Sequence, residues 1–224
     1  MKTTMIKNTA STTRDETELS YLVREPTAKA GKGKAIILLH GVGSNEEDLF
    51  RLAQQLPGDF WILSPRGPFS AGPGRYAWYG VDFSTGKPVI NAGQEAYSRD
   101  LIRMFIRQIK QKYSLEEVYL GGFSQGAIMS YSIGLTTPKE VNGIIALSGR
   151  VLDEIKPFVK KREEFGRLKV FVAHGLLDNT LPIHYARGAQ AYLLDLKLPV
   201  SYHEYQLGHQ INEVVLEDMI DWLK

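Results

Sequence analysis

The sequence contains no cysteine. That absence removes disulfide staples, thiolate metal sites and cysteine nucleophiles together, so covalent catalysis here would need an oxygen or nitrogen nucleophile. It leaves the redox compartment undetermined. Charge of one sign is scarce as well: 27 Lys and Arg stand against 25 Asp and Glu, a formal net charge of +2. This falls short of the basic footprint that binding to nucleic acid or an anionic membrane requires, and no nucleic-acid partner is expected. Long hydrophobic runs are also missing. Met1 to Glu18 is polar and Thr-rich, without the apolar stretch of a signal peptide or membrane helix. It reads as a disordered leader, and the lack of an export signal favours a cytoplasmic location with no membrane span.

What is present is enough for one ordinary domain. The chain has 224 residues, 43% hydrophobic and 23% charged, which suits a single globular unit over 19–224 with a sizeable core. From Lys34 onward, short Ile/Leu/Val-rich runs alternate with longer amphipathic stretches, the pattern of helices crossing between parallel strands. The expected strands are Ala35 to Leu39, Phe60 to Leu63, Val118 to Gly121, Gly143 to Leu147, Lys169 to Ala173 and Val200 to Tyr205, with Leu19 to Arg24 as an edge strand. Most are apolar on both faces, as strands covered by helices on two sides should be.

The spacing predicts a helix over Glu95 to Tyr113, where Leu101, Phe105, Ile109 and Tyr113 recur four apart. Weaker patterns cover Gln125 to Leu135, Ile183 to Leu196 and Ile211 to Leu223. Two segments are compositionally unusual. Ala28 to Lys34 reads as a Lys/Gly turn, and Pro65 to Gly93, rich in Gly, Pro and aromatics, is long enough to form a binding wall or lid.

Val118 to Gly126 reads Val-Tyr-Leu-Gly-Gly-Phe-Ser-Gln-Gly, a strand running into a glycine-flanked serine and then a helix. This is the context a nucleophile elbow requires. Glycines two before and two after Ser124 let strand and helix backbones approach, and the free N–H groups of the helix start favour the charge of a tetrahedral intermediate. The pentapeptide alone also fits a glycine-rich turn with an N-capping serine. Its partners decide between the two.

In this type of fold the acid and then the base follow the serine, each just past a later strand. After Lys169 to Ala173 comes His174-Gly175-Leu176-Leu177-Asp178, and after Val200 to Tyr205 comes Gln206-Leu207-Gly208-His209. His209 as neutral imidazole would take the Ser124 proton and return it to the leaving alcohol. Asp178 would fix its tautomer and stabilise the imidazolium. His203 falls inside a strand and His184 opens a helix, while His40 and His174 sit at strand ends with other duties. Asp153 and Asp195 read as solvated helix residues. No cluster has metal-ligand spacing, so neither metal nor other cofactor is expected. The turn His40-Gly41-Val42-Gly43 ends a buried strand where a backbone N–H can be drawn toward a substrate carbonyl. Val42 and Gln125 are the expected oxyanion donors. A P-loop is excluded there, because no Lys or Thr follows the second glycine.

Taken together, His40-Gly41-Val42-Gly43 with Asp48-Leu49, Gly122-Phe123-Ser124-Gln125-Gly126-Ala127, His174-Gly175-x-x-Asp178 with Pro182, and Gly208-His209-x-Ile211 closely resemble the phospholipase/carboxylesterase family. That family includes acyl-protein thioesterases and small bacterial carboxylesterases. The resemblance spans about Leu19 to the C-terminus and implies an α/β-hydrolase fold: a mostly parallel sheet with helices on both faces and no large lid domain. It implies a serine hydrolase acting on small-molecule carboxylic esters or thioesters through an acyl-enzyme, with the same roles for Ser124, Asp178 and His209. By the same resemblance, Arg75 to Tyr79 corresponds to an aromatic stretch lining the acyl pocket, with Trp78 and Tyr79 as substrate contacts, and a homodimer stays open. Lysophospholipase and peptidase are the alternatives within the enzyme class. Outside it stands a catalytically silent ligand-binding protein on the same fold, which would be expected to lack part of the triad.

Overall fold

The computed structural model describes residues 19–27, 33–82, 84 and 88–224. In chain order the elements are β1 (Tyr21–Arg24), β2 (Gly33–Leu39), α1 (Glu47–Phe50), β3 (Phe60–Pro65), β4 (Phe69–Ser70), β5 (Tyr76–Ala77), β6 (Val81–Asp82), β7 (Val89–Ile90), α2 (Ala92–Lys112), β8 (Leu115–Phe123), α3 (Gln125–Thr136), β9 (Gly143–Leu147), β10 (Lys169–Gly175), α4 (His184–Asp195), β11 (Val200–Tyr205) and α5 (Glu213–Leu223). Seven strands form one sheet in the order β1-β3-β2-β8-β9-β10-β11. Only the β1–β3 pairing is antiparallel, so the α/β architecture expected from the alternating sequence pattern is present.

Period-two side-chain alternation divides the strands between two cores. Along β2, Ala35, Ile37 and Leu39 join a cluster with α2, α3 and α4, while Ile36 and Leu38 join a second cluster with α1 and α5. β8 repeats the division, Val118 and Leu120 facing the first and Tyr119 the second. Both faces of the central strands are therefore apolar because both are covered.

Several boundaries differ from the sequence expectation for local reasons. α2 begins at Ala92 rather than Glu95 because the Asn91 side chain accepts the Gln94 N–H and caps the helix. Asn212 does the same for α5 through the Val215 N–H, so this helix starts two residues after Ile211. Gly33 and Lys34 are not turn residues but the start of β2, pairing with Leu115 and Glu117 of β8; the rest of the expected Lys/Gly turn, and the leader Met1 to Glu18, lie outside the described residues. The segment 65–93 folds back on itself in two short antiparallel pairs, β4 with β5 and β6 with β7.

The carboxyl ends of β2 and β8 lie side by side, with Leu39 opposite Gly122, and α3 starts directly above them. The approach is close enough to exclude side chains. A Cβ on Gly126 would collide with the Leu39 and His40 carbonyls, and one on Gly122 with the Gly126 backbone. Gly188, in contrast, sits exposed in α4 with open space around its Cα. Gly122→Ala and Gly126→Ala are therefore each expected to destabilise the fold by about 1–3 kcal/mol or more through overpacking. Gly188→Ala should stabilise it by up to about 1 kcal/mol through helix propensity. Urea unfolding midpoints at unchanged m-value would test both signs.

Candidate active site

Ser124 stands between β8 and α3 with φ 55° and ψ −118°. A non-glycine residue holds positive φ only where its surroundings over-determine it. Here they do: the Ser124 N–H donates to Leu147 O at 2.9 Å, the Ile128 N–H donates to Ser124 O at 3.0 Å, and the Gly122/Gly126 contact closes the turn. The residue is 8% exposed, so the hydroxyl is held at the carboxyl edge of the sheet with little solvent around it.

Asp178 and His209, expected as acid and base, lie side by side. His209 Nδ1 lies 2.7 Å from Asp178 Oδ2, and Asp178 is 3% exposed. The other carboxylate oxygen, Oδ1, accepts the Thr180 and Leu181 N–H groups at 2.9 and 2.8 Å. Both oxygens are thus committed, and the carboxylate cannot rotate without breaking backbone hydrogen bonds. The two loops that carry the pair are bound to each other. Leu176 N–H donates to Tyr205 O at 2.8 Å and Leu177 N–H to Leu207 O at 2.9 Å. A Cβ on Gly175 would collide with the Leu207 and Gly208 carbonyls, which is why glycine follows His174. The His209 ring packs 4.7 Å from the Phe123 ring, centroid to centroid. That contact brings the base beside the residue preceding Ser124, although the Ser124 hydroxyl makes no hydrogen bond to it.

The turn after β2 completes the cluster. A Cβ at Gly41 would lie 3.5 Å from the Ser124 Cβ, so this turn passes directly over the nucleophile. Neither the Val42 N–H nor the Gln125 N–H donates to an acceptor among the described residues. The Gln125 side chain has a second task, which the sequence did not reveal. Its Oε1 accepts the Trp78 N–H at 2.8 Å and its Nε2 donates to Tyr79 O at 2.7 Å. Trp78 in turn donates from Nε1 to His40 O at 2.9 Å. Trp78 and Tyr79, expected as substrate contacts, are 0% and 1% exposed. Their rings offer no solvent-facing surface to a ligand, and the Trp78 indole, with the Trp78 and Tyr79 backbone, ties the turn after β2 to α3.

Two buried histidines complete this support. His40 Nδ1 lies 2.8 Å from Gly41 O, and its Nε2 accepts the Gly67 N–H at 2.9 Å, an arrangement only the neutral ring can make. His174 Nε2 lies 2.7 Å from Leu181 O and 3.4 Å from Asp178 Oδ2, while its buried Nδ1 has no partner. Burial lowers the pKa of both rings below the ordinary histidine value. A base with a depressed native pKa binds its proton more readily when unfolded, so stability is full above the unfolded value near 6.5 and falls with falling pH toward the native pKa. Unfolding free energy should decline as pH drops below about 6.5, starting above the range of about 4 where ordinary carboxylates titrate. His40→Gln should flatten that decline while lowering stability at pH 7, as read by denaturation at each pH.

Among the described residues, no three His, Asp or Glu side chains are grouped to hold a metal ion, and no helix is long and apolar enough to cross a membrane. The chain is 27% identical over 210 residues to acyl-protein thioesterase 1 of Emericella nidulans, covering 84% of this chain and 88% of that protein. It is 25% identical over 203 residues to a probable carboxylesterase, SOBER1-like, of Arabidopsis thaliana, covering 84% and 77%. In three dimensions it resembles esterase PE8, with a TM-score of 0.80 at 26% identity over 92% of this chain and 97% of that one. It also shares its fold with the Bacillus cereus carboxylesterase, TM-score 0.76 at 19% identity over 92% and 93%. The family model described as phospholipase/carboxylesterase matches residues 22–224, and the chain belongs to that family.

Proposed function

We propose that this protein hydrolyses carboxylic esters or thioesters through a covalent acyl-enzyme, with Ser124 as nucleophile, His209 as general base and then acid, and Asp178 as the group that orients His209. The observation that carries the reading is the strained Ser124 backbone at the strand–helix junction, because such strain persists where function requires it. The Ser124 hydroxyl attacks the acyl carbon while its proton passes to His209 Nε2. The carbonyl oxygen becomes an oxyanion facing the Val42 and Gln125 N–H groups. Collapse expels the alcohol or thiol, which takes the proton from His209. Water then repeats the sequence on the acyl-enzyme and regenerates the serine.

Asp178 favours the Nδ1–H tautomer of His209, which leaves Nε2 free to accept a proton. Preorganised oxyanion donors commonly contribute about 10²–10³-fold each in kcat, and here their placement rests on the Gln125–Trp78–His40 hydrogen bonds.

Two measurements test the assignment. A fluorophosphonate probe should label the wild-type chain once and leave Ser124→Ala unlabelled; an unlabelled wild type would favour a silent binding protein and remove the hydrolase reading. Asp178→Asn has a more specific expectation. Because Oδ1 is held by two backbone donors, the amide must present its NH2 to His209 Nδ1 and so select the wrong tautomer. kcat should fall by about 10³–10⁴-fold with KM little changed, and a loss under tenfold would argue against Asp178 as the orienting acid.

A further inference from the structure

The chain that leaves β9 turns sharply at the same edge of the sheet as the nucleophile. Ser148, directly after β9, holds positive φ at 52°, and its N–H donates to Ala173 O of β10 at 2.9 Å. Gly149 follows, so close to the first turn of α3 that a Cβ there would meet the Ala127 Cβ at 2.6 Å. The next residue, Arg150, is therefore delivered beside the helix that begins at Ser124 and three residues past Leu147, the acceptor of the Ser124 N–H. On its other side lies the start of α4, which follows the Asp178 loop.

Arg150 lines a cavity of about 190 Å3 together with Asp153, Lys156, His184, Tyr185 and Tyr192. Its guanidinium stands 5.5 Å from the Tyr185 ring centroid, and its charge acts on the buried Tyr79 hydroxyl. Lys156 pairs with Asp153 at 2.6 Å and covers Tyr192, and the Arg150 charge reaches Asp153 as well without an ion pair to it. Arg150 is half-buried and makes no hydrogen bond or ion pair to any described residue. An arginine stacked on an aromatic ring, with its planar N–H fork unused in a recess, is preorganised for a carboxylate, which it can bind in bidentate fashion. A solvated surface arginine would need neither the aromatic contact nor the recess.

We infer that Arg150 selects esters that carry a carboxylate on a short arm, which it receives in the cavity between the segment after β9 and α4. This inference rests on the hydrolase reading above and narrows its substrate class. The cavity is small, so the arm it accepts is a few carbons long and not a fatty chain.

The test compares matched esters on the wild type, Arg150→Gln and Arg150→Lys. Mono(4-nitrophenyl) glutarate against 4-nitrophenyl pentanoate places the charge on the acyl side. 4-Acetoxybenzoate against phenyl acetate places it on the alcohol side. In at least one pair, Arg150→Gln should lower kcat/KM for the anionic ester about 10–100-fold more than for its neutral partner, mainly through KM, as loss of a charge-assisted hydrogen bond predicts. Arg150→Lys should recover only part, and 0.5 M NaCl should shrink the difference. An equal fall for anionic and neutral esters would make Arg150 a structural residue and overturn the proposal, as would no change in either. If the wild type cleaves none of the esters and takes no fluorophosphonate, the hydrolase reading fails instead. Calorimetric titration with glutarate then still decides the site, since an Arg150-dependent association supports it and equal binding by wild type and Arg150→Gln rejects it.

Discussion

The arrangement of the catalytic edge depends on one close approach, between the first turn of α3 and the carboxyl end of β2. Gly126 rests on the Leu39 and His40 carbonyls, and Gly122 rests on Gly126, so no side chain separates Ser124 from the turn after β2. From this single contact follow the positive φ of Ser124 and the position of Gly41 over its Cβ. Methyl groups at either glycine would push the helix from the strand and misplace every one of these. The same contact explains why α3 is buried along all its length. A helix seated this deeply has no polar face, and its stability comes from packing on both sides rather than from amphipathic pattern.

Around that contact the protein uses buried polar groups as struts. His40, Trp78 and Gln125 form a chain of hydrogen bonds from β2 through the 65–93 segment to α3, spanning residues far apart in sequence. Each member is nearly or fully excluded from water, so an unmade bond would cost its full desolvation. The network therefore fixes one geometry of the oxyanion turn, at the expense of acid sensitivity through His40. His174 occupies the equivalent place behind Asp178, sharing an edge with the carboxylate while anchored to Leu181.

How much of this was legible in the sequence depends on the range of the interaction. β9 and β11 were bounded correctly because glycine, proline and loop residues punctuate them, and α/β alternation was plain in the hydrophobic runs. Ser124, Asp178 and His209 each stand out through a local pattern at a strand end, and the fold brings the last two within hydrogen-bond distance. The starts of α2 and α5 were misplaced because the caps Asn91 and Asn212 outrank the first periodic residues. Trp78 and Tyr79 were legible as an aromatic pair, but whether such a pair lines a pocket or props a turn is set by the Gln125 amide, 46 to 47 residues away. Nothing local to either segment announces that bond. Arg150 is the same kind of case, an ordinary arginine until the turn at Ser148 and the ring of Tyr185 define its surroundings.

Nucleophile and base are supported unequally. Every residue of α3 is buried, whereas β11, the edge strand that leads to His209, is only half-buried throughout. The Ser124 hydroxyl and His209 ring are joined here through the Phe123 contact rather than a hydrogen bond; under the proposed mechanism they come into direct contact for proton transfer, and catalytic hydrogen bonds often tighten only when substrate is bound. On the proposed mechanism, the unequal burial makes His209 the partner that moves at lower cost. Shifting Ser124 would break the Gly126 contact and the core beneath it, while shifting His209 disturbs an edge loop with fewer buried contacts. Asp178, fixed by two backbone donors on one oxygen and bound to His209 through the other, would then act as a pivot, holding the imidazole's Nδ1 while Nε2 closes on Ser124 in the proposed reaction. A rigid nucleophile and a pivoting base place the conformational cost of closure on the most exposed edge of the sheet, where it is smallest.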